Sequence, residues 1–515
     1  MEPNTQSAEK QRDSQYSAVV PVDNNETKSV AGDSATAAID STSDHGASSS
    51  SKPPYHPFSS RQRSFILGIV ALLSLIGPLS TTIYIPALLV IRDEMNTTID
   101  FINLTISLFL LAMGVVPLFW AMIADNYGRN IVYVSSLLIF TLSNIALALS
   151  KSISFLAGFR LVQGVGVSAV MAIGAGSIAD VYEPHERGTA LGLYFIGPLI
   201  GPILGPIIGG YITKYAGWRT IFWVLTGIGG ALLAMCIAFL PETHRYKVAV
   251  KYGLPLPPAS AMKKTMNPLQ PLKYAIYPLV LLPSVFMMLV FGDLQVWSST
   301  VTPIFTALYH LKPDIIGWTY MASAVGNIIG SIIGGRLADY GYNKAKSAAL
   351  QAAKDRILSE NSGLSEEEAL EEAKQEIDST VGVGAEGRLL PAWICAVLYP
   401  ASYIAYGWIV HSGGPLWATL IMEFLFGIGM TTGFASVSTY VLDIYPARSA
   451  SINSIGNAFR FVWSAIAVQI VPQIQKRMSI GAMFTLFGGL TLIGLPTLFV
   501  LTRYGVAIRQ RYPPK

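Results

Sequence analysis

The 515-residue sequence is poor in charge, since only 13% of its residues are Asp, Glu, Lys or Arg. Soluble proteins carry about 25%, so this composition argues against a soluble enzyme. The formal net charge of +4 is small and dispersed, and it does not indicate nucleic-acid binding. The two cysteines, Cys236 and Cys395, both lie in apolar runs, which argues against a disulfide framework and a cysteine metal site.

The motifs of ATP use, nucleophilic hydrolysis and metalloprotease chemistry are also missing. The sequence contains no Gly-x-x-x-x-Gly-Lys-Ser/Thr loop, no Gly-x-Ser-x-Gly elbow and no His-Glu-x-x-His helix. We therefore expect neither an enzyme nor a chain that uses ATP directly, and we expect no metal or organic cofactor.

What the chain does contain is long apolar stretches. Hydrophobic residues make up 52% of it, and the mean hydropathy is +0.47. From Ser64 onward, twelve stretches reach about 20 residues, the length that crosses the hydrocarbon core as a helix. The predicted spans are 64–90, 101–123, 130–149, 153–179, 188–213, 218–240, 274–305, 313–338, 389–410, 414–440, 448–472 and 478–503. We predict an all-α membrane protein with twelve transmembrane helices.

Polar segments divide the chain into regions. The predicted regions are a disordered cytosolic tail (1–63), an N-terminal six-helix bundle (64–243), a basic cytosolic linker (244–273), a C-terminal six-helix bundle (274–505) and a cytosolic tail (506–515). The first tail lacks a basic start followed by a short apolar core, so we do not expect a cleaved signal. A basic linker belongs in the cytosol by the positive-inside bias, and an even number of spans then places both termini there.

The C-terminal bundle contains a charged insert, 341–388. Within it, Ser365 and Glu368 fit a capping box, which predicts a soluble cytosolic helix. The insert is either a solvated surface or a regulatory or docking element.

An internal repeat relates the two bundles. Asp125 recurs as Asp339, an offset of 339 − 125 = 214, and Arg160 corresponds to Glu423, an offset of 423 − 160 = 263. The offset grows by 49, close to the length of the charged insert. The sequence thus predicts two pseudo-symmetric six-helix bundles, as in transporters built from parallel repeats.

Three motifs carry a family resemblance. They are Gly201-Pro202-x-x-Gly205-Pro206-x-x-Gly209-Gly210, Arg160-x-x-Gln163-Gly164-x-Gly166 and Asp125-x-x-Gly128-Arg129. From about 64 to 505 the chain resembles the major facilitator superfamily, and within it the fungal twelve-span drug:proton antiporters, especially the quinidine-resistance-like branch. The resemblance implies a major facilitator fold, a small-molecule substrate, export by alternating access and a proton gradient as the energy source.

The motifs of the resemblance, together with the internal repeat that adds Gly335 and Asp339, imply residues that control conformation: Asp125, Gly128, Arg129, Gly201, Pro202, Gly205, Pro206, Gly209, Gly335 and Asp339. We expect the glycine stripe of the fifth span to meet that of the eighth (Gly326, Gly330, Gly334) across the boundary between the halves. Asp125 with Arg129, and Asp180 with Arg187, are expected to form charge pairs at helix ends.

Four charged residues and one amide within apolar spans are the candidate substrate or proton-coupling residues: Arg160, Gln163, Asp293, Glu423 and Arg460. A charge at this depth is costly and normally faces the bundle interior. All six histidines lie outside the spans or at their edges, so a carboxylate must carry any side-chain proton relay. We expect Glu423 to be a partner of Arg160 across the cavity, and Arg460 either to neutralise an acid or to hold an anion.

Two transport functions and one non-transport function remain open. Asp293 and Glu423 favour a proton-coupled exporter of multidrug or polyamine-like substrates, whereas Arg160 and Arg460 favour export of small organic acids such as di- or tricarboxylates. The third function is a transport-inactive sensor or scaffold.

For the location and state of the chain, we expect a monomer in the lipid bilayer, at the plasma membrane or alternatively the vacuolar membrane, that binds small molecules and protons and no nucleic acid. Asn96 and Asn103 both fit the acceptor pattern for N-glycosylation.

Overall fold

The computed structural model describes residues 57–182, 186–253, 267, 270–361, 364–380, 382–445 and 449–511. Within these residues the regular structure is helical, and twelve helices are long and apolar enough to cross a membrane. The spans are span 1 (Ser60–Thr82 and Leu88–Glu94), span 2 (Ile99–Val115 and Pro117–Tyr127), span 3 (Arg129–Ala148), span 4 (Ile153–Val181), span 5 (Arg187–Ala216), span 6 (Arg219–Phe239), span 7 (Pro278–Tyr309), span 8 (Pro313–Glu360), span 9 (Ala392–His411), span 10 (Leu416–Ile444), span 11 (Ser449–Gln475) and span 12 (Ile480–Leu492 and Gly494–Arg511).

The twelve predicted spans agree with these helices, and the largest difference is in span 8. It was expected to end at 338 but continues into the charged insert as far as Glu360. This extension packs against a second helix, Glu366–Ser379, around Ile357, Ala369 and Ala373. The predicted capping box begins that helix, because Ser365 and Glu368 bond reciprocally. The insert is thus a helical hairpin with a small core of its own.

The two halves pack their helices in the same pattern. In the N-terminal half span 1 packs on span 5, span 2 on span 4, and span 3 on spans 4 and 6. In the C-terminal half span 7 packs on span 11, span 8 on span 10, and span 9 on spans 10 and 12. Adding six to each span number converts one pattern into the other, so the repeat seen in the sequence is a repeat of structure. Spans 2 and 5 contact spans 11 and 8, respectively, across the boundary.

The prediction for the glycine stripes is wrong in its partners. A Cβ on Gly201 would lie 2.7 Å from Cβ of Pro78 in span 1, and Gly205 and Gly209 also face span 1. The stripe of span 8 faces span 10, since a Cβ on Gly334 would lie 2.8 Å from Cα of Thr432. Each stripe therefore lets two helices of the same half approach closely.

Other glycines make the close contact between spans 5 and 8. A Cβ on Gly210 would lie 3.1 Å from Cα of Asp314, and one on Gly317 would lie 2.9 Å from the carbonyl carbon of Pro206. Pro202 and Pro206 lie inside a span 5 helix that continues through both. Gly335 has open space around it, with nothing within 4 Å of a built Cβ.

Candidate functional site

Arg160 lies inside the N-terminal half and is fully buried. Its guanidinium lies between the rings of Tyr84 and Phe109, 4.4 and 4.5 Å from their centroids. Nη1 donates to Oε1 of Gln163 at 2.6 Å and to the carbonyl of Ser80 at 3.4 Å. Nε and Nη2 have no hydrogen-bond partner. Two of its three nitrogens can therefore still bind an acceptor.

Gln163 connects this arginine to a neighbouring helix. Its Nε2 donates to Oδ1 of Asn144 in span 3 at 2.7 Å, and Asn144 donates in turn to the carbonyl of Phe140 at 2.7 Å. Gln163 lies three residues after Arg160 in span 4, on the same helix face, which allows the bond between the two side chains. This series of hydrogen bonds fixes one edge of the Arg160 guanidinium and leaves the other edge free.

Glu423 lies inside the C-terminal half and is also fully buried. Neither of its carboxyl oxygens has a hydrogen-bond partner. Its polar neighbours are aromatic residues, Trp297, Tyr320 and Tyr406. The indole N–H of Trp297 and the hydroxyl of Tyr406 are likewise without a partner in hydrogen-bond geometry.

Asp293 is buried between spans 7, 9 and 12. Thr491 in span 12 donates to its Oδ2 at 2.6 Å, and the Tyr403 hydroxyl in span 9 donates to its backbone carbonyl at 2.9 Å. These bonds hold Asp293 within its own half, on the side of span 7 that faces spans 9 and 12. The structure thus separates Asp293 from the boundary between the halves.

Arg460 lies in span 11 and is 8% exposed. Its Nη2 bonds to Oδ1 of Asn457, one helical turn earlier. The guanidinium lies 4.7 Å from the centroid of Phe434 and 5.3 Å from that of Phe291. Nε has no partner. Among the residues that the structure describes, Arg460 forms no ion pair with an acid, so it does not neutralise one in this conformation.

The expected pairing of Arg160 with Glu423 across the cavity is wrong for this conformation. Among the described residues the two side chains form no bond with each other: Arg160 is near Tyr84, Phe109 and Gln163, and the neighbours of Glu423 are aromatic. The repeat places the two side chains at equivalent positions in separate bundles. Their opposite charges are therefore kept apart.

A charge cluster joins the ends of spans 2, 3 and 4. Arg129 forms the predicted pair with Asp125, at 3.1 Å, and its Nε bonds to Oδ2 of Asp180 at 3.2 Å. Its backbone N–H donates to Glu242 at 2.8 Å. Gly128 has φ +95°, and a Cβ there would strike the Glu242 carboxylate, so only glycine fits. The side chain of Arg187, predicted to pair with Asp180, lies outside the described residues.

The C-terminal half has an equivalent cluster that the sequence did not reveal. Arg388 bonds to Asp339 and, through Nε at 2.8 Å, to Asp443. Asp443 lies 443 − 180 = 263 residues after Asp180, so it occupies the repeat position of Asp180. Arg388 was missed because the insert separates it from the Asp339 motif.

A second pair of missed contacts closes one end of the boundary between the halves. Lys214 in span 5 bonds to Asp314 in span 8 at 2.6 Å, and Lys476 after span 11 bonds to Asp100 in span 2 at 3.0 Å. Gln473 also donates to Asp100, at 2.9 Å. The acids lie 314 − 100 = 214 residues apart, which is the first repeat offset. We call this end, which contains the loops after spans 1, 5 and 7, the closed end.

The two proposed glycosylation sites differ. Asn96 is exposed in the loop after span 1. Asn103 is 2% exposed, and its Nδ2 donates to the carbonyl of Val468 in span 11 at 3.2 Å. The prediction for Asn103 is wrong, because this side chain joins the two halves.

Comparison with known proteins extends these observations. Residues 70–468 match the Major Facilitator Superfamily. The chain is 30% identical over 489 residues to citrate exporter 1 of Aspergillus niger, covering 90% of each chain. It is 30% identical over 495 residues to dityrosine transporter 1 of Saccharomyces cerevisiae, covering 87% of this chain and 82% of that protein. It is 26% identical over 480 residues to multidrug transporter QDR2 of Candida glabrata, covering 88% and 82%, respectively.

A solved structure has the same fold. The partially occluded inward-open xylose transporter XylE from E. coli aligns with a TM-score of 0.59 at 12% identity, covering 88% of this chain and all of that chain. The likeness extends over both halves.

Proposed function

The chain belongs to the Major Facilitator Superfamily of membrane transporters, and on that premise we propose that it exports small organic acids, as carboxylate anions, in exchange for protons. The observation that carries this proposal is Arg460, a buried guanidinium without a carboxylate partner among the described residues. The 30% identity to a citrate exporter points to the same class of substrate.

The argument from the arginines rests on their fixed charge. Arginine cannot lose its proton in a protein, whereas a buried carboxyl group can be neutralised by taking one up. A central arginine costs about 2.5–3.5 kcal/mol on insertion scales, unless an anion or internal dipoles compensate it. Arg160 and Arg460 have no acidic partner among the described residues and retain free N–H groups. A planar guanidinium fork matches a carboxylate in two-point geometry.

Proton exchange is assigned to Glu423. Its ionised form would be a buried negative charge that accepts no hydrogen bond in this conformation, while its protonated form would be neutral. Glu423 would take up a proton when the closed end opens and would release it on the opposite side. This cycle would couple proton entry to substrate exit by alternating access. The basic linker supports cytosolic termini, and we propose a monomer in the plasma membrane.

Export of organic cations is the second candidate function. It is favoured by the aromatic rings around Glu423, where the Trp297 and Tyr320 centroids are 5.0 Å apart. Ammonium groups bind well to aromatic faces beside a carboxylate. The two candidates differ in which charged residue contacts the substrate.

The experiment that separates them is uptake into sealed vesicles that contain the purified full chain, under an imposed pH gradient. The substrates are labelled citrate, labelled succinate and labelled spermidine. We expect the carboxylates to move and spermidine not to move. Arg460→Gln should weaken carboxylate affinity about 10- to 150-fold, the value of a lost charged hydrogen bond. Arg61→Gln, at an exposed arginine, is the matched control.

Glu423→Gln tests the coupling separately. It should abolish gradient-driven carboxylate movement while leaving substrate exchange in the absence of a gradient. Gradient-driven spermidine uptake that depends on Glu423 would instead establish the cation exporter. Normal carboxylate affinity in Arg460→Gln would refute the anion site.

A further inference from the structure

The short helix Arg245–Tyr252 follows span 6 at the linker end of the N-terminal half. It begins six residues after Phe239, the last residue of span 6. Val248 and Ala249 are buried against the protein. This helix has no part in the transport mechanism proposed above.

The outward surface of the helix combines two pairs of residues spaced four apart. Tyr246 and Val250 form an apolar pair and are 39% and 59% exposed. Lys247 and Lys251 form a neighbouring basic pair and are both exposed. Residues four apart lie on the same helix face. Apolar and tyrosine side chains next to lysines are the pattern of a helix that lies in the membrane interface.

A cleft of about 440 Å³ lies beside this helix. Its lining includes Tyr246, Lys247, Val250 and Lys251 together with Pro241 and Glu242. The Glu242 carboxylate already accepts the backbone N–H groups of Arg129 and His244, each at 2.8 Å. Both bonds are to Oε1, and they hold the carboxylate against the backbone of the protein. The positively charged groups that line the cleft are Lys247 and Lys251.

We propose that this cleft binds the headgroup of an anionic phospholipid. Positive side chains at the membrane surface attract anionic headgroups, and each lysine raises the binding affinity about fivefold. Ile237 and Phe239, at the adjoining end of span 6, are mostly exposed and form an apolar surface next to which acyl chains can lie. Tyr246 and Val250 add exposed apolar groups to the lining of the cleft itself. The occupant thus needs a negative headgroup joined to an apolar tail.

Two residues that line the cleft, Lys247 and Glu242, bond to the loop between spans 2 and 3, which carries the Asp125-x-x-Gly128-Arg129 motif. The Lys247 ammonium donates to the carbonyl of Tyr127 at 2.7 Å, and Glu242 accepts from the backbone of Arg129. Tyr127 and Arg129 flank Gly128, whose positive φ requires glycine. A headgroup that draws Lys247 toward itself therefore competes with the bond to this loop, so the bound lipid influences the loop that joins spans 2 and 3.

The test measures binding of dihexanoyl phosphatidylserine to the full chain purified in detergent, by thermophoresis. Dihexanoyl phosphatidylcholine and inorganic phosphate are the comparison ligands. The variants are Lys251→Gln and the double variant Lys247→Gln/Lys251→Gln. The matched control, Lys344→Gln/Lys374→Gln, removes two positive charges from the helical hairpin of the insert.

We expect phosphatidylserine to bind at least tenfold more tightly than phosphatidylcholine. Lys251→Gln should weaken that binding about fivefold and the double variant about 30-fold, while the control variant keeps the wild-type affinity. Equal binding of the two lipids, or equal loss in the control variant, would overturn the proposal. Inorganic phosphate that binds as tightly as the serine lipid would also overturn it, because the apolar part of the site would then contribute nothing.

Discussion

Two glycine-to-alanine substitutions in the same helix should change stability in opposite directions. Gly201 and Gly192 both lie in span 5 and both lack a side chain, so the chemical change is identical. At Gly201 the added Cβ would lie 2.7 Å from Cβ of Pro78 and 2.9 Å from the backbone nitrogen of Leu79. At Gly192 nothing lies within 4 Å of the added Cβ.

The magnitudes follow from these distances. Ordinary contact with a Cβ occurs at 3.4–4 Å, so span 1 must move by several tenths of an ångström or more at Gly201. The neighbouring atoms belong to a proline ring and to backbone, which cannot rotate away. Such overpacking costs about 1–3 kcal/mol. At Gly192 alanine should stabilise the helix by about 0.5–1 kcal/mol, because it restricts the unfolded chain.

The assay is thermal unfolding of the purified variants in the same detergent, followed by intrinsic fluorescence. For a unit the size of one half, 1 kcal/mol corresponds to about 2–4 °C. Gly201→Ala should therefore lower the midpoint by about 2–12 °C, while Gly192→Ala should raise it by about 1–4 °C. Equal destabilisation by both variants, or none by Gly201→Ala, would refute the close approach of spans 1 and 5.

Three further outcomes are expected. Lys214→Gln combined with Asp100→Asn should increase the distance between spin labels placed on the closed-end loops of the two halves, measured by pulsed electron resonance; an unchanged distance would contradict the closing role of these pairs. Arg388→Gln should destabilise the protein by about 1–2 kcal/mol, because two acids lose their partner, and denaturation midpoints equal to wild type would count against it. Burial, with a smaller contribution from Arg129, lowers the pKa of His244. The unfolded chain therefore protonates His244 more readily than the folded chain does. The stability that the neutral His244 contributes is present above about pH 6.5 and is lost as the pH falls. His244→Asn should flatten the fall in unfolding temperature between about pH 7 and pH 5.5, and an identical slope would exclude that contribution.

Sequence alone accounted for the parts of the fold that depend on composition and periodicity. Twelve apolar stretches predicted twelve helices, because a helix of about 20 residues is the structure that satisfies its backbone within the hydrocarbon. The offsets of 214 and 263 predicted the two-half organisation and placed Asp339 and Glu423 at positions equivalent to Asp125 and Arg160. Ser365 and Glu368 predicted the helix of the insert, because capping is local chemistry.

Only the tertiary structure decided which surfaces meet. The sequence pattern of an apolar or glycine-rich helix face does not identify what packs against it. The face can be covered by lipid, by a helix of the same half or by a helix of the other half. For that reason the stripe of span 5 was assigned to span 8 rather than span 1. Asp293 was likewise grouped with Glu423, although it bonds to Thr491 away from the boundary. Arg388 escaped notice because the insert separates it from the Asp339 motif and because its two acids come from different spans. Periodicity determines which residues share a helix face, but the rotation of each helix and the choice of its neighbours depend on packing among all twelve.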